Sequence, residues 1–249
     1  MSARIICVWG SPGSGKSITA VALAAVLAEN RKNVVVFNGD KLVPALKMYC
    51  PMEQIDSSSS IGPLLMSGRY DDAIFAGKLK IHPRSEYISF LGMAPTDTYI
   101  TYNEFERSNT VGMLNKMAKL NDYVIIDGAS NPLDDSMTLL GLELADVVIR
   151  QITADNKGIL YQDCARMIYR EEKYHFDSHI SVLGDVSEIN PVSEVMSVSG
   201  RYEFVLNRSN EVADKFIAGE LIKDMRSMSG RAFEKQIRAL AKKAEGKNG

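Results

Sequence analysis

The sequence predicts an α/β fold, with a mostly parallel twisted sheet of about seven strands flanked by helices on both faces. Short apolar runs alternate with helical patterns along nearly the whole chain, which is typical of strand–helix–strand units. Several of the runs, such as VVVF and YVIID, are near-continuous stretches of Val and Ile, as in strands buried on both faces. The predicted strands are Arg4–Trp9, Asn33–Phe37, Tyr87–Gly92, Tyr123–Asp127, Asp146–Ile152, Ile180–Val186 and Tyr202–Leu206.

Helical periodicity separates several of these strands. The predicted helices are Ser17–Asn30, Val111–Leu120, Lys157–Glu172 and Phe233–Ala244. The serine-rich stretch Asp56–Ser60 is interpreted as a loop or a helix cap. Right-handed crossovers would place the carboxyl ends of the parallel strands along one edge, where such sheets bind their ligands.

Composition limits the class of protein. The 249 residues, 45% of them apolar, predict a single domain over residues 1–245 with a flexible tail at 246–249. A net charge of −2 provides no overall field that would attract nucleic acid. Cys7, Cys50 and Cys164 lack metal-ligand spacing, and no apolar run approaches the ~20 residues of a membrane span. We therefore expect a cytoplasmic protein.

The stretch GSPGSGKS, from Gly10 to Ser17, matches the pattern GxxxxGK[ST] between a predicted strand and a predicted helix. Glycines allow successive backbone N–H groups to turn toward phosphate oxygens, and the helix N-terminus adds further N–H groups. Lys16 should bridge the β- and γ-phosphates, and Ser17 should offer its hydroxyl to Mg²⁺. The predicted nucleotide-binding residues here are Gly10, Ser11, Pro12, Gly13, Ser14, Gly15, Lys16, Ser17 and Ile18.

Two acidic residues follow predicted strands and should reach the same edge of the sheet. Asp127 ends the run VIID and is expected to hold Mg²⁺ directly or through a water. Asp40, in VVVFNGD, is placed to orient a water against the γ-phosphate or to join the metal shell. The alternative is that Asp40 only serves a turn after Gly39.

With the glycine-rich loop and both acids in this order, the chain resembles the ParA/MinD family of P-loop ATPases over nearly its whole length. VVVFNGDKLVPALKMYC is similar to the family's second strand and first switch, and DYVIIDGASNP to its Walker B strand and second switch. YEFVLNRSNEVADKFIAGELI resembles the last strand and the loop that passes the adenine. The resemblance implies a P-loop ATPase with ATP and Mg²⁺ as cofactors and a nucleotide-dependent homodimer.

The resemblance also implies roles for single residues. It makes Lys16 and Asp40 catalytic, and places Mg²⁺ at Ser17, Asp40 and Asp127. Near the adenine it implies Asp185, Asn207 and Arg208. Such switches position or assemble larger machines, in plasmid or chromosome partition or in pilus, secretion or conjugation apparatus. They act with a protein partner, and nonspecific DNA or a membrane can serve as their matrix.

Two departures from the family pattern bear on catalysis. Ser11 stands where the family carries a lysine that crosses to the partner's nucleotide, and Asn38 replaces the first acid of the D-x-D switch. Removing a positioned cation from phosphoryl transfer costs on the order of 10³ in rate. We therefore predict intact ATP binding with slow hydrolysis, with Arg150 or Lys157 as possible substitute cations. The CpaE/TadZ-like group, whose phosphate loops are also altered, is the nearest comparison.

Alternatives to the ATPase switch remain open at this point. A nucleotide-binding scaffold without hydrolysis is favoured by Ser11 and Asn38. A small-molecule kinase is disfavoured, because no arginine-dense lid segment follows the core. The last helix is amphipathic and basic, which fits either packing on the sheet, the favoured interpretation, or peripheral attachment at a membrane or cell pole.

Overall fold

The computed structural model describes residues 3–95 and 97–246, which build an eight-stranded sheet in the order β3-β4-β2-β5-β1-β6-β7-β8. The strands are β1 (Arg4–Gly10), β2 (Val34–Asn38), β3 (Lys80–His82), β4 (Ser85–Gly92), β5 (Tyr123–Asp127), β6 (Val147–Thr153), β7 (Ile180–Val186) and β8 (Phe204–Asn207). All neighbouring strands pair in parallel except β3, which is antiparallel to β4. The parallel strands therefore direct their carboxyl ends to one edge.

Helices cover both faces of the sheet. They are α1 (Lys16–Leu27), α2 (Leu46–Tyr49), α3 (Gly62–Ser67), α4 (Asp72–Lys78), α5 (Arg107–Leu120), α6 (Ser136–Leu144), α7 (Asn156–Ile168), α8 (Val192–Ser199), α9 (Asn210–Ile217) and α10 (Met228–Ala244). Helices α1 and α10 pack on each other and on one face, and α5, α6 and α7 pack on the opposite face.

Strand β1 shows why the central strands have continuous apolar sequences. Ile6 and Val8 face the core beneath α1 and α10, whereas Cys7 and Trp9 face the core on the other side. All four side chains are fully buried. Because both faces of the strand are covered, every position must be apolar, and the predicted α/β fold with helices on both faces is confirmed.

The structure corrects several boundaries. The sheet has eight strands within the described residues rather than about seven, because the three-residue β3 forms a hairpin with β4 and has no apolar run to mark it. Helix α7 ends at Ile168, before the predicted end at Glu172, and a separate 3₁₀ turn over Glu172–Tyr174 begins at that residue. Of the predicted tail at 246–249, residues 247–249 lie outside the described residues.

The last helix packs on the protein rather than presenting its apolar face. The inner face of α10 is buried against α1 and β8 through Phe233, Ile237, Leu240, Ala241 and Ala244. Arg238 on the same helix donates to both carboxylate oxygens of Glu29 at 2.7 Å. The favoured interpretation of this helix is confirmed, and its apolar residues are not available for a membrane. Among the described residues, no helix combines the length and apolar character that a membrane crossing requires.

Candidate phosphate-binding site

The loop from β1 to α1 depends on glycines with positive φ. Gly10 has φ +140°, Gly13 +73° and Gly15 +83°, values that side chains rarely adopt. A Cβ on Gly10 would also lie 1.8 Å from the carbonyl oxygen of Gln151. Helix α1 begins after Gly15 without a side-chain cap, so the N–H groups of its first turn have no side-chain acceptor from the cap position. This geometry suits a bound anion.

Ser11 faces the interior of the protein. Its hydroxyl accepts a hydrogen bond from the backbone N–H of Thr153 at 3.0 Å, and its own N–H donates to the carbonyl of Gln151 at 3.0 Å. The residue is only 2% exposed. Ser14 closes the turn by donating its hydroxyl to the carbonyl of Ser11 at 2.8 Å. The serine at this position therefore ties the loop to β6.

Lys16 reaches back over the loop. Its Nζ donates to the carbonyl of Ser11 at 2.9 Å and to Oγ of Ser130 at 2.8 Å. Burial lowers the pKa of the Lys16 ammonium, and the negative charges of Asp127 and Asp40 oppose that effect. Both hydrogen-bond partners are neutral, and phosphate oxygens are stronger acceptors for an ammonium group. The lysine is thus poised to exchange these partners for a phosphate.

Asp127 is buried at the carboxyl end of β5 and is 1% exposed. Its Oδ2 accepts a hydrogen bond from the Tyr49 hydroxyl, whereas its Oδ1 has no hydrogen-bond partner among the described residues. Burial raises the pKa of this carboxyl group, against the opposing effects of the Ser17 and Tyr49 hydroxyls and of Lys16. A buried carboxylate oxygen without a donor is costly unless a cation or a water pairs with it. The arrangement therefore fits Mg²⁺.

Asn38 and Asp40 organise the loop that follows β2. The Asn38 amide donates to the carbonyl of Asp127 at 3.0 Å and accepts from the N–H of Ala45 at 3.1 Å. Asp40 Oδ1 accepts from the N–H groups of Leu42 and Val43, at 2.7 and 3.0 Å. The turn-forming alternative thus describes the contacts of Asp40 seen here, and its part in hydrolysis stays a prediction.

A cavity lies beside the phosphate loop and brings together the residues predicted to contact the base. It is lined by Ser14, Gly15, Ile18, Thr19, Gln151, Asp185, Leu206, Asn207, Arg208, Ser209, Asn210, Val212, Ala213 and Phe233. Asp185 adopts a positive φ of 52°. Its carboxylate pairs with both Nε and Nη2 of Arg208, the Nε contact measuring 2.9 Å. Ser14 and Gly15 of the loop, Ile18 and the three predicted base-side residues thus line the same cavity.

Comparison with known proteins finds similar folds among solved structures only. No protein-family model matches the sequence, and no curated protein matches it. Among solved structures, the ParA family ATPase from Chlorobium tepidum TLS is similar with a TM-score of 0.75 and 17% identity, over 96% of this chain and 98% of that one. MinD from Aquifex aeolicus gives 0.71 and 15%, over 96% of both chains. MinD from Pyrococcus horikoshii OT3, complexed with Mg-ADP, gives 0.69 and 16%, over 99% of both.

The fold is that of the ParA and MinD ATPases. The predicted likeness is confirmed at this level, and the narrower comparison with the CpaE/TadZ-like group stays a prediction. These two MinD proteins and the ParA protein are covered almost end to end, so the likeness extends over the whole sheet and its helices rather than the phosphate loop alone.

Within the ParA/MinD fold of this chain, Arg150 is not placed to replace the missing lysine. It pairs in register with Trp9 on the face of the sheet opposite Gln151 and the phosphate loop. Its Nη1 donates to the carbonyl of Phe176 at 2.7 Å, and its guanidinium lies 3.9 Å from the Phe176 ring centroid. That part of the prediction was wrong, because adjacent residues of a strand point to opposite faces. Lys157 is exposed on α7, beside Ser11 in a surface groove, and remains a candidate.

Three residues of the site were missed by sequence reasoning. Gln151 is 1% exposed and donates Nε2 to the carbonyl of Ser14 beneath the loop. The polar pair RQ inside VVIRQIT was a usable signal, because a buried strand rarely carries polar residues without a partner. Ser130 and Tyr49 gave no such signal, since their contacts join segments distant in sequence.

Proposed function

We propose that this protein is an ATP-binding switch of the ParA/MinD kind, with slow intrinsic ATP hydrolysis. The observation that carries the proposal is the joint placement of Lys16 and Asp127. A half-buried lysine with neutral, exchangeable partners lies near a buried carboxylate that has an oxygen without a hydrogen-bond partner among the described residues, beside a loop of positive-φ glycines. The fold shared with ParA and MinD ATPases over 96% or more of the chain supports the same assignment.

Each residue has a part in that proposal. Lys16 and the loop N–H groups bind the phosphates, while Asp185, Asn207 and Arg208 form the base side of the cavity. Ser17 and Asp127 would hold Mg²⁺, which neutralises charge on the phosphate oxygens when bound. Other members of this structural group include the Mg-ADP complex of a MinD protein.

Slow hydrolysis follows from two contacts. The inward-facing Ser11 hydroxyl offers no cation to a partner's nucleotide, and one oxygen of Asp40, Oδ1, accepts the N–H groups of its own loop. Water activation would have to come from Asp40 Oδ2, because Oδ1 accepts both of those N–H groups. If it does not, the protein is a nucleotide-binding scaffold, the second candidate that these contacts favour.

The switch would act by forming an ATP-dependent homodimer that positions or assembles a larger machine through a protein partner, in the cytoplasm. A solved complex of MinC with MinD shows a protein partner for one structural neighbour. DNA or a membrane as matrix stays a prediction, and α10 gives the membrane no support because its apolar face is buried.

The test combines binding, turnover and mass in solution. ATP affinity and steady-state hydrolysis are measured for the wild type and Lys16→Ala, and light scattering after size exclusion compares apo, ADP and ATP forms with Mg²⁺. We expect Lys16-dependent ATP binding, slow Lys16-dependent turnover and a dimer with ATP only. One constant mass and no turnover would support the scaffold, whereas unchanged binding in Lys16→Ala would contradict both functions.

A further inference from the structure

Tyr49 contacts the Asp127 carboxylate from the segment that follows β2, and the Ser17 hydroxyl also acts on that carboxyl group. The tyrosine ends the short helix α2, is 3% exposed, and donates its hydroxyl to Asp127 Oδ2. Its ring stacks on Phe90 of β4, with centroids 5.1 Å apart and planes at 24°. A stacked ring fixes the direction of its hydroxyl, so this contact has a defined geometry.

The two oxygens of Asp127 are consequently unequal. Oδ2 is occupied by Tyr49, and Oδ1 is buried without a hydrogen-bond partner among the described residues. A carboxylate held through one oxygen has a fixed rotamer and presents the other oxygen in a constant direction. Removing a group that holds a metal-binding side chain in this way typically costs about 10- to 100-fold in metal affinity.

We propose that Tyr49 is a positioning residue that directs Asp127 Oδ1 toward the Mg²⁺ of a bound nucleotide. The proposal rests on the proposed nucleotide-binding function. It assigns a role to a residue in the segment that follows Asp40. Tyr49 does not touch the nucleotide in this role and acts only through Asp127.

The same contact joins the Asp40 loop to the cation site. Asn38, at the start of this segment, donates to the Asp127 carbonyl and accepts from the N–H of Ala45. Tyr49, at the end of the segment, donates to the Asp127 side chain. Residues 39–49 are therefore attached at both ends to the residue expected to carry the cation, so cation binding at Asp127 should reduce opening of this segment.

The decisive variant is Tyr49→Phe, which keeps the ring on Phe90 and removes only the hydroxyl. ADP affinity is measured calorimetrically in EDTA and over a series of Mg²⁺ concentrations. We expect the Mg²⁺ concentration for half-maximal enhancement to rise about tenfold or more, and ADP affinity in EDTA to stay within about twofold of wild type. Tyr202→Phe is the matched control, because Tyr202 is also a buried tyrosine that donates to a side-chain oxygen, that of Gln162, at 3.0 Å.

A second measurement needs no variant. Hydrogen exchange of the wild-type ADP complex is compared with and without Mg²⁺, and we expect slower exchange at 46–50 when Mg²⁺ is added. An unchanged Mg²⁺ requirement in Tyr49→Phe, an equal loss of ADP affinity in EDTA, or no protection at 46–50 would each overturn the proposal. A wild type that binds no ADP with or without Mg²⁺ would instead overturn the proposed function, and with it the role of Tyr49.

Discussion

Lys16, which is half-buried, and Arg150, which is buried, are two cations in opposite environments. Lys16 has two neutral partners, Ser11 and Ser130, and the charges of Asp127 and Asp40 act on it. Arg150 is enclosed on the other face, where it donates to the Phe176 carbonyl and lies against its ring. Burial lowers the pKa of the Arg150 guanidinium to about 10.

The difference separates a binding group from a structural one. The partners of Lys16 are a carbonyl and a hydroxyl, both neutral, so a phosphate can replace them at little cost. Arg150 is surrounded by aromatic side chains, namely those of Trp9, Phe176 and His179 within one cluster, and any ligand would have to displace packed rings. A basic residue near a glycine-rich loop is therefore not enough to identify a phosphate-binding group. The face of the sheet on which its side chain lies determines whether it can reach the phosphate.

The largest expected effects come from exchanging each cation for methionine. Lys16→Met should weaken ATP binding about 100-fold or more, because charge-assisted contacts to phosphate are lost, with a change of less than about 1 kcal/mol in the free energy of unfolding. Arg150→Met should reverse this pattern, lowering the free energy of unfolding by about 2–4 kcal/mol while the folded protein keeps its ATP affinity. Denaturant unfolding measures the stability of each variant, and calorimetry measures its ATP affinity. If both variants changed stability and affinity alike, Lys16 and Arg150 would not differ in role.

Asn38→Asp tests the surroundings of Lys16 and Asp127, and it introduces the acid that the ParA/MinD pattern carries at this position. The new carboxylate would lose the donor to the Asp127 carbonyl and would face the buried Asp127 charge. We expect the free energy of unfolding to fall by about 2–3 kcal/mol at neutral pH and to recover partly in acid. Asn115→Asp, exposed on α5, is the control, and equal stabilities of the two variants would show that the hydrogen bonds of Asn38 to Asp127 and Ala45 do not stabilise the protein.

The aromatic cluster around Arg150 predicts that the free energy of unfolding depends on pH, through His179. Burial, with Arg150 nearby, lowers the pKa of His179 to about 3, and its Nε2 lies 2.8 Å from the Tyr174 carbonyl. Between the unfolded value of about 6.5 and the folded value, only the unfolded chain binds this proton, so stability is present above pH 6.5 and lost below it. The loss should be about 1.4 kcal/mol per pH unit in that window.

Denaturant unfolding between pH 7 and 5 measures that loss. His179→Gln removes the titrating ring, so the stability advantage of the wild type over this variant should shrink as the pH falls. His175→Asn, an exposed position with φ +49° that Asn tolerates, keeps His179 and should retain the wild-type slope. A wild-type slope in His179→Gln would show that another group is responsible.

The smallest effect is expected at Ser11. Ser11→Lys removes the acceptor of the Thr153 N–H and forces a long side chain from a buried position, so ATP affinity should fall about fivefold without a gain in turnover. Ser11→Ala removes only the hydroxyl and separates the lost hydrogen bond from the added bulk. Faster hydrolysis by Ser11→Lys would mean that this position can deliver a cation after all.

Much of the fold and the phosphate loop followed from local sequence. Continuous Val and Ile runs give strands, helical periodicity gives α1 and α10, and GSPGSGKS contains the glycines that the loop needs at Gly10, Gly13 and Gly15. These signals are local because backbone conformation and two-sided burial depend mainly on a residue and its near neighbours. The short β3 escaped prediction because three residues of mixed polarity carry no period.

Only the tertiary structure decided the partners of the site residues. The sequence placed Asp127 and Asp40 at one edge of the sheet, but it gave no sign that Tyr49 holds the Asp127 carboxylate across 78 positions. The sequence suggested Arg150 as a substitute cation and Ser11 as the position of an absent lysine. In the structure Arg150 points away from the loop, and the Ser11 hydroxyl joins the loop to β6. Such pairings depend on strand order and on which face each side chain takes, and these are set by contacts between segments far apart in the chain.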